Sequence, residues 1–461
     1  MKQALRAIWL ATAATTAMNG TAMAQEAPTP QEPAGRDEPV PAAETPAPTS
    51  LEASGQPTDI IVTAQKRSER LLDVPQSVSV ISGDTLEKQH AQSLSDYLTK
   101  VPSANIVESQ AGQTRIVLRG INTGGVGPTV ATYIDEAPFG SATSLANGGI
   151  LTPDIDPFDL NRVEVLRGPQ GTLYGANSLG GLVKFVTVAP DPGYFDGAAE
   201  MGVEDVHHGD LGWWGRAAAN IPLGTVAAVR ASGYYRRDPG YIDDPHLGDD
   251  VNDGKTYGGR LSFLVKPSAA LRIRASVLAQ NIRSNGTNTV DLDPVTLEPT
   301  EGELTHLRLI EEPNNVDYRL YNATIDYDFG PVTLLSATSY GTLDQATFLD
   351  ASGVYGPLLT PALGLPLGAG LDQGMTQRRF TEEVRLASSG PGVVEWTVGG
   401  FYTHEKNRLS QNLFAILDPS GDPVPGLDGL VIVDLPSTYE EEAGFANATW
   451  HISPKFDLTA G

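Results

Sequence analysis

The sequence predicts a β-rich chain in which a small α+β domain is followed by antiparallel transmembrane β-barrel strands, and three observations predict it. After residue 190 the chain falls into segments of roughly ten residues with alternating apolar and polar side chains, the length and period of a tilted membrane strand. The connections between those segments alternate short and long, as periplasmic turns and extracellular loops do. No run of about eighteen apolar residues follows the first 24, so any membrane span must be built from strands.

Composition narrows the function classes. The formal net charge of −25 argues against nucleic acid as a partner, because phosphate backbones call for a basic face. The absence of cysteine excludes thiol catalysis, disulfides and zinc–thiolate sites.

In chain order, residues 1–24 carry Lys2 and Arg6, an apolar stretch around Ile8 to Ala14, and Ala22-Met23-Ala24. That is a secretory signal peptide with cleavage expected after Ala24. Residues 25–58 are almost entirely Pro, Ala, Glu, Thr and Ser, which cannot bury enough apolar surface to offset the entropy of ordering, so an extended tether is expected. Asp59-Ile60-Ile61-Val62-Thr63-Ala64 is a β-prone hexapeptide ahead of Lys66-Arg67. An extended strand of this kind can add to the edge of a partner's sheet.

The α+β domain is expected over residues 65–192. Ser77 to Ile81 alternates as a strand, and a short helix follows from Thr85 to His90. A second helix starts at Ser93, where Ser93-Leu-Ser-Asp96 has the form of a capping box, and stops before Pro102. Arg115 to Arg119 and Thr129 to Ile134 are the next strands, ended by Gly120 and by the Asp135 to Pro138 turn. The stretch Asp159 to Thr187 reads as strand, tight turn, helical turn and second strand, with Val163 and Val165 on one face and Val183, Phe185 and Thr187 on another. Five glycines lie between Gly168 and Gly181, a density that points to close backbone approach or positive φ. Neither GxxxxGK[ST] nor GxGxxG is present, so the glycines are not read as a nucleotide cradle.

The run NRVEVLRGPQGTLYGANSLGG, together with LRGI at 118–121 and YIDEAP at 133–138, closely resembles the plug of TonB-dependent outer-membrane receptors. The resemblance implies an α+β plug over 65–192 and a barrel of about twenty-two strands around it. Residues 193–461 would then supply its N-terminal half, ten strands and the start of an eleventh, and the chain is read as truncated. Asp59 to Ala64 is similar to the family's TonB box, the segment captured by a TonB-like periplasmic energy-transducing protein. The tether is too short for the signalling domain that some members carry. Arg119 and Arg167 fall on family positions where plug arginines pair with glutamates from the far half of the barrel, and a buried charge needs such a partner. The plug apices facing the ligand would be Glu108 to Thr114 and Phe139 to Thr152, presenting Gln110, Gln113, Phe139, Ser141, Thr143, Ser144 and Asn147.

Barrel strands are expected near 194–204, 212–221, 226–237, 257–266, 271–282, 318–328, 333–345, 377–388, 393–409 and 438–452, with another opening at Phe456. Long loops are expected over 238–256, 283–317, 346–376 and 410–437. In 271–279, Leu271, Ile273, Ala275, Val277 and Ala279 would face lipid, with Arg272, Arg274 and Ser276 turned to the lumen. An arginine on the lipid face costs roughly 2–4 kcal/mol at the midplane, so this register should win.

No catalytic or metal site is assigned. His207-His208 lacks further ligands, Asp249 to Gly254 lacks the spacing and distal glutamate of a calcium loop, and His404-Glu405 is not HExxH. The expected function is energy-coupled uptake across the outer membrane of a Gram-negative bacterium, with outer-membrane lipid around the barrel. A ferric siderophore is the expected extracellular ligand, iron arriving with it and no cofactor held by the chain. Oligosaccharide, haem or cobalamin, or a truncated surface binding protein that does not transport, are the alternatives.

Overall fold

The computed structural model describes residues 60–390, 392–453 and 455–461. The expected signal peptide, the tether and Asp59 lie outside the described residues.

The α+β part opens with a minimal hairpin, β1 (Ile61–Val62) against β2 (Glu69–Arg70). Then come β3 (Val78–Ser82), α1 (Gly83–Lys88) and α2 (Leu94–Leu98). Ser82 caps α1 by accepting from the Thr85 amide at 3.2 Å, and the predicted capping box forms as the Ser93 amide donates to Asp96 at 2.8 Å. The first helix stops two residues short of expectation, because His90 adopts φ 50° and cannot continue it.

A second hairpin pairs β4 (Ala104–Gln110) with β5 (Gln113–Leu118). The main plug sheet holds β3, β6 (Val130–Ile134), β7 (Ala137–Phe139), β8 (Leu160–Arg167) and β9 (Gly181–Thr187) in the order β3-β8-β9-β6-β7. Only β6 and β9 run parallel. One turn of helix, α3 (Gly171–Tyr174), bridges β8 and β9, as the glycine-rich stretch predicted. Val163, Val165, Val183 and Phe185 are wholly buried, and α2 covers them with Leu94, Tyr97 and Leu98.

Eleven strands then follow in strict meander order, all antiparallel. They are β10 (Asp196–Asp205), β11 (Leu211–Pro222), β12 (Ala227–Asp238), β13 (Gly254–Val265), β14 (Leu271–Ser284), β15 (Asn314–Asp328), β16 (Val332–Asp350), β17 (Leu367–Ser388), β18 (Val394–Leu417), β19 (Val431–Ser453) and β20 (Phe456–Ala460). Among the described residues β10 and β20 are the edges of this sheet.

Each expected strand is present, but β16 to β19 run 19 to 24 residues, about one and a half times the ranges read from the sequence. About ten residues suffice to cross the hydrocarbon; the remainder continues as paired ribbon, where Leu367, Ala369 and Leu413 turn into a buried apolar cluster with Tyr355 and Leu359. The expected loop 346–376 therefore shrinks to the helix α4 (Ser352–Leu363) between two long strands. That helix forms with two internal prolines, Pro357 and Pro361.

The side-chain register is as expected. Arg274 reaches plug Asp135 across the lumen at 3.4 Å, while Ile273 and Val277 are exposed on the outer face. Outward aromatics gather near both ends of the strands. Tyr327 and Phe329 meet at 4.5 Å beside a short turn, and Trp213, Tyr235 and Tyr257 stack in a ladder towards the other end of β11 to β13. On the inner face Ile282, Val316, Tyr318, Leu343, Met375 and Leu409 join the plug's own core, so plug and wall share one apolar cluster.

Candidate functional site

Ile60 to Ala64 is docked rather than free. Val62 and Ala64 are fully buried, and the Thr63 amide donates to both carboxylate oxygens of Glu164 at 3.0 and 3.1 Å. Tyr174 donates its hydroxyl to the Thr63 carbonyl at 3.1 Å. Ile60 and Ile61 remain exposed. Directly after, Lys66 enters the lumen in a left-handed conformation, pairs with Glu383 of β17 and lies 5.0 Å from the ring centres of both Tyr174 and Phe445. Burial holds its ammonium below the ordinary lysine value, although Glu383 opposes the shift. Arg67 pairs with Glu395 of β18 at 2.8 Å. Thr63 and Ala64 are thus tied to the plug centre and the residues that follow to the wall.

Plug and wall are held by buried ion pairs in which the plug mostly supplies acids and the wall supplies bases. Arg236 meets Asp154 at 2.7 Å, Arg216 meets Asp156 at 3.6 Å, and Arg230 and Arg260 converge on Asp159 at 2.7 and 2.5 Å. Arg385 and Lys184 grip Glu136 at 2.7 and 2.9 Å. Burial alone would raise the Glu136 carboxyl, but these two cations outweigh it and hold it well below the carboxylate range. At Asp156 burial prevails over Arg216 and pushes the carboxyl up to about 6.

No role was read for these acids in the sequence. The available signal was three aspartates within six residues, facing lumen arginines on β11 to β13.

The arginines singled out in the sequence do other things. Arg167 donates to the Pro102 carbonyl at 3.1 Å. Arg119 stands at φ 54°, and its guanidinium lies over Gly168, where a Cβ would come within 2.6 Å of Nη1. Neither forms an ion pair with a barrel carboxylate among the described residues; the plug cations that do meet wall glutamates there are Lys66 and Arg67.

Most of the expected apex residues are covered. Gln110 is fully buried and donates to the Glu312 carbonyl at 2.6 Å, and Gln113 donates to Gln110 at 3.3 Å beneath the β14–β15 loop. Phe139 packs against Tyr318 with the ring centres 5.2 Å apart, Ser141 donates to Glu405 at 2.5 Å, and Asn147 is buried with φ 52°. Only Ser144 is exposed, with Thr143 half-buried. Sequence could not show this, because the covering groups lie more than 150 residues away. His207 and His208 stack edge-on at 4.2 Å beyond the end of β10.

Asp156 supplies a pH test. An acid whose folded pKa is raised loses stability for the fold as pH climbs from its unfolded value, near 4, through about 6. Asp156→Asn keeps an acceptor for the Phe158 amide, now bonded at 2.9 Å, and Arg216 retains Glu200 at 2.9 Å. We expect the variant to be about 2 kcal/mol more stable than wild type at pH 7.5 and equal to it at pH 4, measured by chemical denaturation in detergent. Lower stability at pH 7.5 would refute the assignment.

Comparison with known proteins agrees with this geometry. Residues 70–182 match the family model described as the TonB-dependent receptor plug domain. The vitamin B12 transporter BtuB of Vibrio vulnificus is 31% identical over 134 residues, 29% of this chain and 21% of that protein. The pesticin receptor of Yersinia pestis is 29% identical over 217 residues, 45% of this chain and 30% of that protein. The chain thus spans less than a third of the length of these curated relatives, which are receptors and transporters, not enzymes.

Among solved structures, the ferric yersiniabactin uptake receptor FyuA of Yersinia pestis superposes with a TM-score of 0.67 at 18% identity, over 83% of this chain and 55% of that one. The ferripyoverdine receptor of the Pseudomonas aeruginosa outer membrane gives 0.67 at 14% identity, over 88% and 54%. At such identities the likeness is one of fold. With a plug domain at 70–182 and eleven strands of wall around it, the chain has the plug-and-barrel-wall architecture of the TonB-dependent receptors of the Gram-negative outer membrane.

Proposed function

We propose that the chain serves energy-coupled uptake of a scarce extracellular ligand, and that this ligand is a ferric siderophore. The observation carrying the coupling is the attachment of Thr63 to Glu164 on β8, with Lys66 and Arg67 tied to the wall. A TonB-like periplasmic protein that adds a strand to the exposed Ile60-Ile61 end pulls directly on the plug's central strand pair. The siderophore half is supported by the kinds of receptor that share the fold, two of which are named for ferric siderophores. The BtuB match favours cobalamin as the second reading.

Ile61→Pro removes a backbone donor and fixes φ in the two-residue strand, which blocks strand addition. The expected outcome is unchanged binding of a labelled ferric siderophore at the cell surface and uptake reduced to background. Undiminished uptake would place the capture segment elsewhere. Uptake of labelled cobalamin in place of iron would select the second reading.

A further inference from the structure

Between the plug and the inner wall, at the end of the barrel where the short turns lie, is a cavity in two adjoining lobes of about 710 and 420 Å³. Small-molecule sites commonly occupy about 300–1,000 Å³, so the space can hold a ligand. Its charge runs against that of the molecule. In a chain of net charge −25, basic side chains outnumber acidic ones seven to four around the smaller lobe.

Most of those cations are committed. Lys66, Arg67, Lys184 and Arg385 each hold a glutamate, and Arg274 reaches Asp135. Lys266 and Arg272 make no ion pair within 4.0 Å among the described residues. Asp326, cross-strand from Arg272, is the acid that lines both lobes with it. Lys266 sits in the turn just after β13 and Arg272 at the start of β14, so both hang over the lumen at its periplasmic end. Lys66, Arg67 and Ser68, the residues that follow the docked hexapeptide, form the opposite wall.

We propose that this cavity is an anion vestibule in which Lys266 and Arg272 hold a small solute through its carboxylate or phosphate oxygens, beneath the Lys66–Ser68 segment. An ammonium point charge and a guanidinium fork suit such an oxyanion. The cavity's open connection to solvent makes the contact exchangeable. As a station on a route into the periplasm the vestibule rests on the uptake reading, and it makes the transported ligand anionic. Its capacity to bind does not depend on that reading.

The test is calorimetric titration of the detergent-solubilised full chain with inorganic pyrophosphate and, separately, citrate, at low and high salt. At least one probe should bind and weaken with salt. Lys266→Glu combined with Arg272→Glu should lower the affinity about tenfold or more, like charge replacing attraction. Lys255→Glu, an exposed change at the far end of β13, should leave it unaltered. The pair Lys266→Gln and Arg272→Gln should shift it the same way should the glutamates disturb folding. Affinity for phosphate alone or carboxylate alone identifies the chemistry. Failure of both probes to bind wild type, or equal affinity in the charge-reversed pair and Lys255→Glu, would overturn the proposal. Because titration needs no energy coupling, it can fail while Ile61→Pro still abolishes uptake, and the reverse.

Discussion

Glu136→Gln is expected to loosen the docked plug by about 3–5 kcal/mol, the cost of breaking a buried ion pair from one side. The carboxylate holds Lys184, whose side chain is 2% exposed, and Arg385, at 7%. Glutamine would leave the lysine unpartnered in the lumen and Arg385 with Glu383 alone, now 2.9 Å away. Hydrogen exchange of the β6 and β9 amides reports the loss without requiring the barrel to unfold. The sign with pH follows from the depressed folded pKa: the pair's stabilisation is complete above the unfolded carboxylate value, near 4.5, and is lost as pH falls below it. The difference between wild type and variant should therefore narrow only in strongly acidic solution. A variant with native protection at pH 7 would show that the pair is dispensable.

Gly181→Ala should be nearly as damaging, by about 3 kcal/mol or more, for a purely steric reason. Gly181 opens β9 at φ 149°, and a Cβ there would lie 2.2 Å from the Leu166 carbonyl oxygen and 2.6 Å from Leu118 Cδ1. Backbone on the paired strand cannot step aside as a flexible side chain does. Gly171→Ala, where a Cβ meets nothing within 4 Å, is the control and should be close to neutral. Denaturant midpoints of the two variants test the contrast, and equal losses would remove the close-approach account of this glycine-rich stretch.

That stretch shows what could be read in advance. Alternation and glycine density in Asp159 to Thr187 implied two strands around a tight turn, and β8, α3 and β9 follow them closely. The wall was equally legible where lipid imposes alternation, as the inward Arg274 and outward Ile273 confirm. Legibility ended where the constraint ended. Beyond the ranges read from the sequence β16 to β19 lengthen, and α4 forms despite Pro357 and Pro361.

Local sequence by itself determined the elements and their faces, because a strand's side chains must alternate and a hydrocarbon face must be apolar, whatever lies across the lumen. Partnership was decided only by the tertiary structure. Asp154, Asp156, Asp159 and Glu136 meet arginines 60 or more residues away, a pairing no local stretch announced. Gln110 and Gln113 read as ligand-facing, yet a loop some 200 residues further on covers them. A charge or an amide is satisfied by whatever the fold brings within about 3 Å, and no local pattern encodes that distance.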